Sequence, residues 1–186
     1  MTTGSGFHPL RDDDWPEQIA DLLPGFAGAL NVYRSMAHHP ALLRAMVELR
    51  EHVVNGTALG PALSEITILR TGHRLGSTYE MQHHIVRARS RGVEEKRIAS
   101  MTGTPSSMAP TDAIIARAVD ELFDLKKLSA ESIAALEPVV GKEGVFDLIC
   151  TVGFYSILGF SLNSFDVPVD EEIVEALKAQ PLGTAG

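Results

Sequence analysis

Apolar residues recur at spacings of three and four along almost the whole sequence, and the strict alternation typical of a half-buried strand is nearly absent. Proline and glycine punctuate this pattern: Pro40 stands where a helix would begin, and Gly92 stands where one would end. The helical pattern covers residues 15–23, 28–36, 40–52, 61–73, 78–91, 93–100, 112–125, 129–137, 142–160 and 169–179. The sequence therefore predicts an all-α fold.

The length of 186 residues fits a single domain with one core. We expect residues 1–14, which hold a Gly-Ser-Gly triplet and three consecutive aspartates, to be a flexible N-terminal lead. Residues 15–168 are predicted to form one all-helical domain. Residues 169–186 are predicted to add a C-terminal helix and a tail of small residues.

Charge, cysteine content and apolar runs restrict the possible function classes. The net charge of −8 makes a nucleic-acid partner unexpected. The single cysteine, Cys150, excludes an intramolecular disulfide and a cysteine metal cluster. The first residues lack the pattern of a signal peptide, and the longest apolar run, residues 145–160, contains Asp147 and is short for a bilayer span. We therefore expect a cytoplasmic protein without a membrane partner.

The predicted helix 78–91 carries the most chemically interesting group of side chains. At about 100° per residue, Ser77, Glu80 and His84 fall on one stripe, at roughly 0°, 300° and 340°, whereas His83 points away from it. Glu80 and His84 are four residues apart, so their side chains can meet. A carboxylate beside an imidazole raises the histidine pKa and fixes its tautomer, as a general acid requires. On the pattern alone, an exposed structural pair is the more common case.

Residues 31–101 resemble the core of the carboxymuconolactone decarboxylase and alkyl hydroperoxidase D-like proteins. The matching text is NVYRSMAHHPALLRAM, followed by SEITILRTGHRLGSTYEMQHHIVRARSRGVEEKRIASM. In the peroxidase branch the site reads glutamate, eleven residues, Cys-x-x-Cys, three residues, histidine. The same spacing here gives Glu65, then Ser77 and Glu80 in place of the cysteines, then His84. The resemblance implies an alkyl hydroperoxidase D-like helical bundle, assembled as a trimer or hexamer with sites near subunit contacts.

The departure from the family pattern changes the expected chemistry. A dithiol peroxidase needs one thiolate to attack the peroxide and a second thiol to resolve the product, and Ser77 and Glu80 can do neither. Cys150 is predicted to be a buried, inert thiol. The decarboxylase branch also carries a Glu-x-x-x-His helix, as Glu80 and His84 do here. Its further histidine is missing near residues 98–101, which argues against that branch's own substrate.

The resemblance and the residues together predict a cofactor-free, non-redox enzyme, of decarboxylase, lyase or isomerase type, acting on a small organic acid or lactone. His84 would be the acid or base, and Glu80 would tune and orient it. Glu65 would support the pair from the preceding helix, and Ser77 would offer its hydroxyl to the substrate. Two alternatives remain open: a peroxidase-like activity inherited from the family, and a non-catalytic oligomeric protein that binds a small molecule.

Arginines near the predicted site could hold a substrate carboxylate with two parallel hydrogen bonds. We assign Arg87, Arg74 and Tyr79 to substrate binding. A metal site is not expected, because the Glu-x-x-His unit formed by Glu80 and His83 has no second copy of the kind that helical di-iron sites require.

Overall fold

The computed structural model describes residues 6–183. In this part of the chain all regular secondary structure is helical. This part contains no β-strand, so the predicted all-α fold is confirmed. The α-helices are α1 (Phe26–Ala29), α2 (Asn31–Met36), α3 (Pro40–Glu51), α4 (Gly60–Leu75), α5 (Thr78–Ser90), α6 (Glu95–Ser100), α7 (Pro110–Leu125), α8 (Ala130–Phe165) and α9 (Glu171–Ala179). Short 3₁₀ turns occupy Asp12–Asp14, Glu17–Leu22 and Pro105–Ser107, and a π turn occupies His52–Gly56.

Helix α4 lies at the centre of the bundle and packs against α5, α7 and α8. Residues 64–72 are all buried, so this helix has no face turned to solvent over more than two turns. The polar members of this stretch must find partners inside the protein. The helix ends at Gly76, whose φ of 61° lies in the left-handed region that glycine adopts without strain. The chain then turns directly into α5.

The buried apolar side chains form two clusters that share α4 and α8. One cluster joins α4 to α7, with Ile66 and Val119 among its members. The other joins α2 and α3 to α8, with Leu43 and Phe154 among its members. Helix α5 contributes to both, through Ile85 to the first and Tyr79 to the second. The residues between these two anchors on α5 therefore lie between the two halves of the core.

Helix α8 is the longest element and is interrupted at Gly141, where φ is 71° and ψ is 176°. Its second half packs closely on α4, because a Cβ atom at Gly159 would lie 2.7 Å from the Leu75 side chain. By length and composition alone α8 could cross a membrane, although the sequence pattern indicated a shorter apolar run. Half of its apolar window is buried within the protein. A core helix of a globular protein has this property too.

The two ends of the described chain lie along the body. From Phe7 onward the segment predicted to be a flexible lead is docked on α2: Ser35 Oγ donates to the Phe7 carbonyl and Arg34 donates to the Leu10 carbonyl. Residues 1–5 of that segment lie outside the described residues. At the other end, α9 packs against α5 and has no fully buried residue.

Candidate functional site

The first turn of α5 packs against α4. Ser77 is the N-cap of this helix: its hydroxyl accepts a hydrogen bond from the Glu80 backbone N–H at 3.4 Å, and its side chain is completely buried. Glu80 then lies directly against α4, where a Cβ atom at Gly72 would be only 3.2 Å from the Glu80 Cβ. The absence of a side chain at Gly72 thus lets α4 and α5 approach closely with a carboxyl group between them.

His84 lies between two glutamates. Its Nδ1 is 2.6 Å from Glu65 Oε2, and its Nε2 is 3.5 Å from Glu80 Oε2. Its ring and that of Tyr155 on α8 form a T-shaped contact, with 5.0 Å between ring centroids. His84 is 5% exposed, Glu65 0% and Glu80 3%, so water screens these charges very little.

Glu65 is the charged partner of the pair. Its Oε1 lies 3.0 Å from Arg87 Nε and 3.2 Å from Arg91 Nη1. Burial alone would raise the pKa of Glu65, but the contact with His84 and the two guanidinium groups outweigh burial and lower it. Glu65 is therefore ionised, and its negative charge is balanced within the protein.

Glu80 has the opposite protonation state. Burial, reinforced by the charge of Glu65, raises the pKa of Glu80 to about 8. Its Oε1 is buried and has no hydrogen-bond partner among residues 6–183. Glu80 therefore carries a proton at neutral pH and can donate it.

Burial also lowers the pKa of His84, despite the opposing effect of Glu65. The sequence predicted the reverse: a His84 pKa raised by Glu80. That prediction is wrong, because Glu80 is itself uncharged and because desolvation of the imidazole outweighs its contact with Glu65. A neutral His84 donates from Nδ1–H to Glu65 and turns the lone pair of Nε2 towards Glu80.

Glu80 and His84 border a cavity of about 260 Å³. Its apolar wall comes from several elements and includes Leu30, Leu158 and Ile173. Drug-sized ligands occupy cavities of roughly 300–1,000 Å³, so this space suits a small molecule. Larger depressions lie elsewhere on the surface, but neither Glu80 nor His84 borders them.

The structure separates the predicted site residues into two groups. Arg87 and Tyr79 border the cavity with Glu80 and His84, and Glu65 lies behind His84. Ser77 and Arg74 do not border it. The hydroxyl of Ser77 caps α5, and the guanidinium of Arg74 pairs with Asp120 and Asp124 on α7. Their predicted roles towards a substrate therefore do not fit their positions.

His83 was expected to point away from the site, but it borders the same cavity. Its ring stacks on Tyr79 with 4.1 Å between centroids, and its Nε2 lies 2.9 Å from Asp170 Oδ2. Asp170 also accepts hydrogen bonds from the Tyr79 hydroxyl and from the Asn31 backbone N–H. Asp170 directly precedes α9, whose Ile173 borders the cavity. Helix α9 is thus fastened over the site through one carboxylate.

Sequence reasoning missed two polar residues that border this cavity, Tyr33 and Arg50, and also missed Asp170, which binds Tyr79 and His83. A broader helical face would have identified His83, since positions 79, 80, 83, 84 and 87 are mutual neighbours on α5. No local signal points to Arg50 or Asp170, because only the tertiary fold brings Arg50 to the cavity and Asp170 to α5. Within residues 6–183, no group of three or more His, Cys, Asp or Glu side chains is arranged to hold a metal ion.

Comparisons with known proteins identify a family pattern and the fold. Residues 40–121 match the model of the carboxymuconolactone decarboxylase family. No curated protein sequence matches the chain. An alkylhydroperoxidase AhpD core protein, an uncharacterized peroxidase-related protein from Ralstonia eutropha JMP134, has the same fold, with a TM-score of 0.75, 14% identity, and 89% of this chain and 92% of that chain covered.

Two further solved structures share the fold. An uncharacterized peroxidase-related protein from Silicibacter sp. TM1040 has a TM-score of 0.75 at 11% identity, with 93% of this chain and 97% of that chain covered. A cysteine-to-alanine variant of the debrominase Bmp8, in complex with 2,3,4-tribromopyrrole, has a TM-score of 0.73 at 16% identity, with 96% and 99% covered. The predicted resemblance is therefore confirmed: residues 40–121 carry the carboxymuconolactone decarboxylase family pattern, on an alkyl hydroperoxidase D-like fold that lacks the Cys-x-x-Cys motif.

Proposed function

We propose that this protein is a cytoplasmic, cofactor-free, non-redox enzyme that acts on a small organic acid or lactone by proton transfer. The observation that carries the proposal is the buried pair of His84 and Glu80, 3.5 Å apart at the wall of a small cavity. Burial lowers the pKa of His84 and raises that of Glu80 to about 8, which favours a neutral imidazole beside a protonated carboxyl at neutral pH. When the surroundings lower the pKa of one group and raise that of its neighbour, the two can act as a base and an acid at the same pH.

In an isomerisation, His84 Nε2 takes a proton from the carbon next to the substrate carbonyl, and the C–H electron pair enters the enolate. Glu65 accepts the Nδ1–H hydrogen bond and balances the positive charge that forms on the ring. Glu80 gives its proton to the new carbon position, and the electron pair of the enolate forms the new C–H bond. His84 then returns its proton to Glu80, directly or through water, which restores both groups.

In a decarboxylation, the bond between the substrate carbon and its carboxylate breaks and carbon dioxide leaves. The electron pair stays on the substrate as an enolate, and the Glu80 proton is added to the carbon. Glu80 regains a proton from solvent after product release. The raised pKa of Glu80, about 8, keeps it protonated before each cycle at neutral pH.

Two alternatives have weaker support. A thiol peroxidase requires a pair of reactive cysteines, and the sequence has only Cys150, which does not border the cavity. A thiol-dependent peroxide assay tests this activity directly. A non-catalytic binding protein would use the same cavity, and a ligand that binds there without being turned over would favour it.

The test of the proposal is a panel of small acids and lactones incubated with the protein in deuterated water. NMR follows carbon dioxide loss, isomerisation and exchange of carbon-bound protons. We expect His84→Ala to reduce turnover or exchange by about 10²–10⁴-fold, the usual contribution of a general acid or base. His52→Ala is the matched control, because His52 also pairs with a carboxylate but lies outside the cavity. Equal rates in wild type and His84→Ala would refute the mechanism.

We further propose that the protein is a homo-oligomer, a trimer or hexamer, that buries the outer face of α8. Phe146, Ile149, Ile157 and Phe160 are 76%, 43%, 47% and 60% exposed. At about 100° per residue they fall within roughly 80° of one another, so they form one apolar stripe. Exposed apolar patches of this kind mark contact surfaces.

Light scattering at micromolar concentration tests the assembly. The wild type is expected to give the mass of a trimer or hexamer, and Phe160→Glu is expected to reduce it. Lys127→Glu, an exposed change between α7 and α8, is the control and should leave the mass unchanged. A monomeric wild type would contradict this proposal.

A further inference from the structure

Arg50 lies in the last turn of α3 and borders the same cavity as Glu80 and His84. Its side chain is 14% exposed, and its Nε is buried without a hydrogen-bond partner among the described residues. The guanidinium lies over the Phe26 ring, 4.2 Å from the centroid, which fixes its plane. Its ion pair with the exposed Glu51 is long, at 3.5 Å. Arg50 is therefore a largely buried cation whose charge and hydrogen-bond donors are only partly matched by other groups.

The other arginines around the site are committed to carboxylates of the protein. Arg87 and Arg91 both pair with Glu65. Arg70 pairs with Asp120, with its two nitrogens at 2.8 and 2.6 Å from the two carboxylate oxygens. A guanidinium has five N–H donors in a fixed fork. The buried Glu65 balances the charge of Arg87, whereas among the described residues the only carboxylate paired with Arg50 is the exposed Glu51 at 3.5 Å.

Tyr33 connects Arg50 to the catalytic pair. Burial raises the pKa of Tyr33 to about 12, the charges of Arg50 and Arg87 act to lower it, and Glu80 acts to raise it. Tyr33 borders the same cavity as Arg50 and Glu80. A ligand carboxylate at Arg50 therefore lies within electrostatic reach of Glu80.

We propose that Arg50 binds a carboxylate of the substrate and determines the specificity of the enzyme for small carboxylic acids. A carboxylate matches the guanidinium fork with two parallel hydrogen bonds, and it supplies the negative charge that the buried cation lacks. The reacting carbon of the substrate then lies towards Glu80 and His84. This inference rests on the proposed function, but it concerns binding and not proton transfer.

The test measures binding of benzoate and benzamide, two rings of nearly equal shape that differ in charge. Ligand-observed NMR titration at neutral pH gives both dissociation constants without turnover. We expect the wild type to bind benzoate at least about tenfold more tightly than benzamide. Arg50→Gln should abolish this preference, and Arg50→Lys should retain part of it because it keeps the charge but not the fork.

Arg44→Gln is the control, since Arg44 lies on the same helix but pairs with Asp21 at the surface. It should keep the wild-type preference. Circular dichroism checks that each variant is folded, and Arg50→Lys carries the test if Arg50→Gln does not fold. Absence of benzoate binding to the wild type, or an unchanged preference in the Arg50 variants, overturns the inference. His84→Ala should keep the preference while losing turnover, so failure of the proton-transfer mechanism is distinguishable from failure of this inference.

Discussion

Two histidine–carboxylate pairs in this molecule have nearly the same nitrogen–oxygen distance but very different surroundings. His52 Nε2 lies 2.7 Å from Asp147 Oδ1, and His84 Nδ1 lies 2.6 Å from Glu65 Oε2. The His52 side chain is 51% exposed, whereas that of His84 is 7% exposed. The second oxygen of Asp147 accepts hydrogen bonds from the Ala58 backbone N–H and the Thr57 hydroxyl. That pair anchors the loop before α4 to α8.

The difference shows what separates a structural pair from a candidate catalytic one. At Asp147 the binding capacity of the carboxylate is used within the fold, and His52 does not border the cavity of Glu80 and His84. At His84 one imidazole nitrogen is fixed by Glu65, while the other faces Glu80, whose second oxygen has no partner among the described residues. Burial and remaining hydrogen-bonding capacity, not the distance within the pair, make the distinction.

The largest expected difference in stability is between Glu65→Gln and Asp147→Asn. Glu65→Gln leaves Arg87 and Arg91 beside a neutral group and should reduce the free energy of unfolding by about 3–5 kcal/mol, the cost of breaking a buried ion pair. Asp147→Asn keeps one carbonyl acceptor beside a half-exposed histidine, and should cost about 1–2 kcal/mol. Urea denaturation measures both. Equal losses would mean that the two pairs do not differ in the way described.

The pH dependence of Glu80 sharpens the comparison. The pKa of its carboxyl is about 8 in the folded protein and near 4.5 in the unfolded chain. Between these pH values the folded state holds a proton that the unfolded state has released, so stability falls as the pH rises. Glu80→Gln stays uncharged. Relative to wild type, this variant should therefore gain stability by up to about 1.4 kcal/mol per pH unit across this window.

Urea denaturation of both proteins at a series of pH values gives this difference directly. The titration of His84, whose pKa burial lowers, is common to both proteins and cancels to a first approximation. Asp147→Asn is the control of opposite sign, because the contacts of Asp147 outweigh burial and lower its pKa. Ionised Asp147 stabilises the wild-type fold increasingly as the pH rises above its folded pKa, and this gain is complete above about 3.8. At higher pH the stability difference between wild type and Asp147→Asn should therefore stay constant. A pH-independent difference for Glu80→Gln would refute the protonated state.

The sequence predicted the fold in detail because helix boundaries depend on local signals. Pro40 as a helix start and Gly92 as a helix end were both readable from residue type: α3 begins at Pro40, and α5 begins and ends within one residue of the predicted range. The spacing of Glu65, Glu80 and His84 also identified the residues that meet. Their protonation states were not predictable, because they depend on burial by distant helices.

A stability change of intermediate size is expected when the docking of helix α9 is weakened. Asp170 holds its start to Asn31, Tyr79 and His83, so Asp170→Asn should weaken the docking of α9 by about 1–3 kcal/mol. Amide hydrogen exchange should then become faster over residues 171–179 without a comparable change in α4. Glu172→Gln, an exposed change on the same helix, is the control. Unchanged exchange in Asp170→Asn would show that α9 is held by its apolar contacts alone.

The smallest expected effect is that of Cys150→Ser. Cys150 lies on α8 one turn beyond Asp147, which belongs to the structural pair, and it does not border the cavity. Burial, together with the charge of Asp147, raises the pKa of its thiol, so the reactive thiolate is scarce at neutral pH. The thiol is only partly buried, so replacing it with a hydroxyl should cost no more than about 1 kcal/mol. Turnover or proton exchange should be unchanged, and a large loss of either in a folded Cys150→Ser protein would require redox chemistry and overturn the acid–base mechanism.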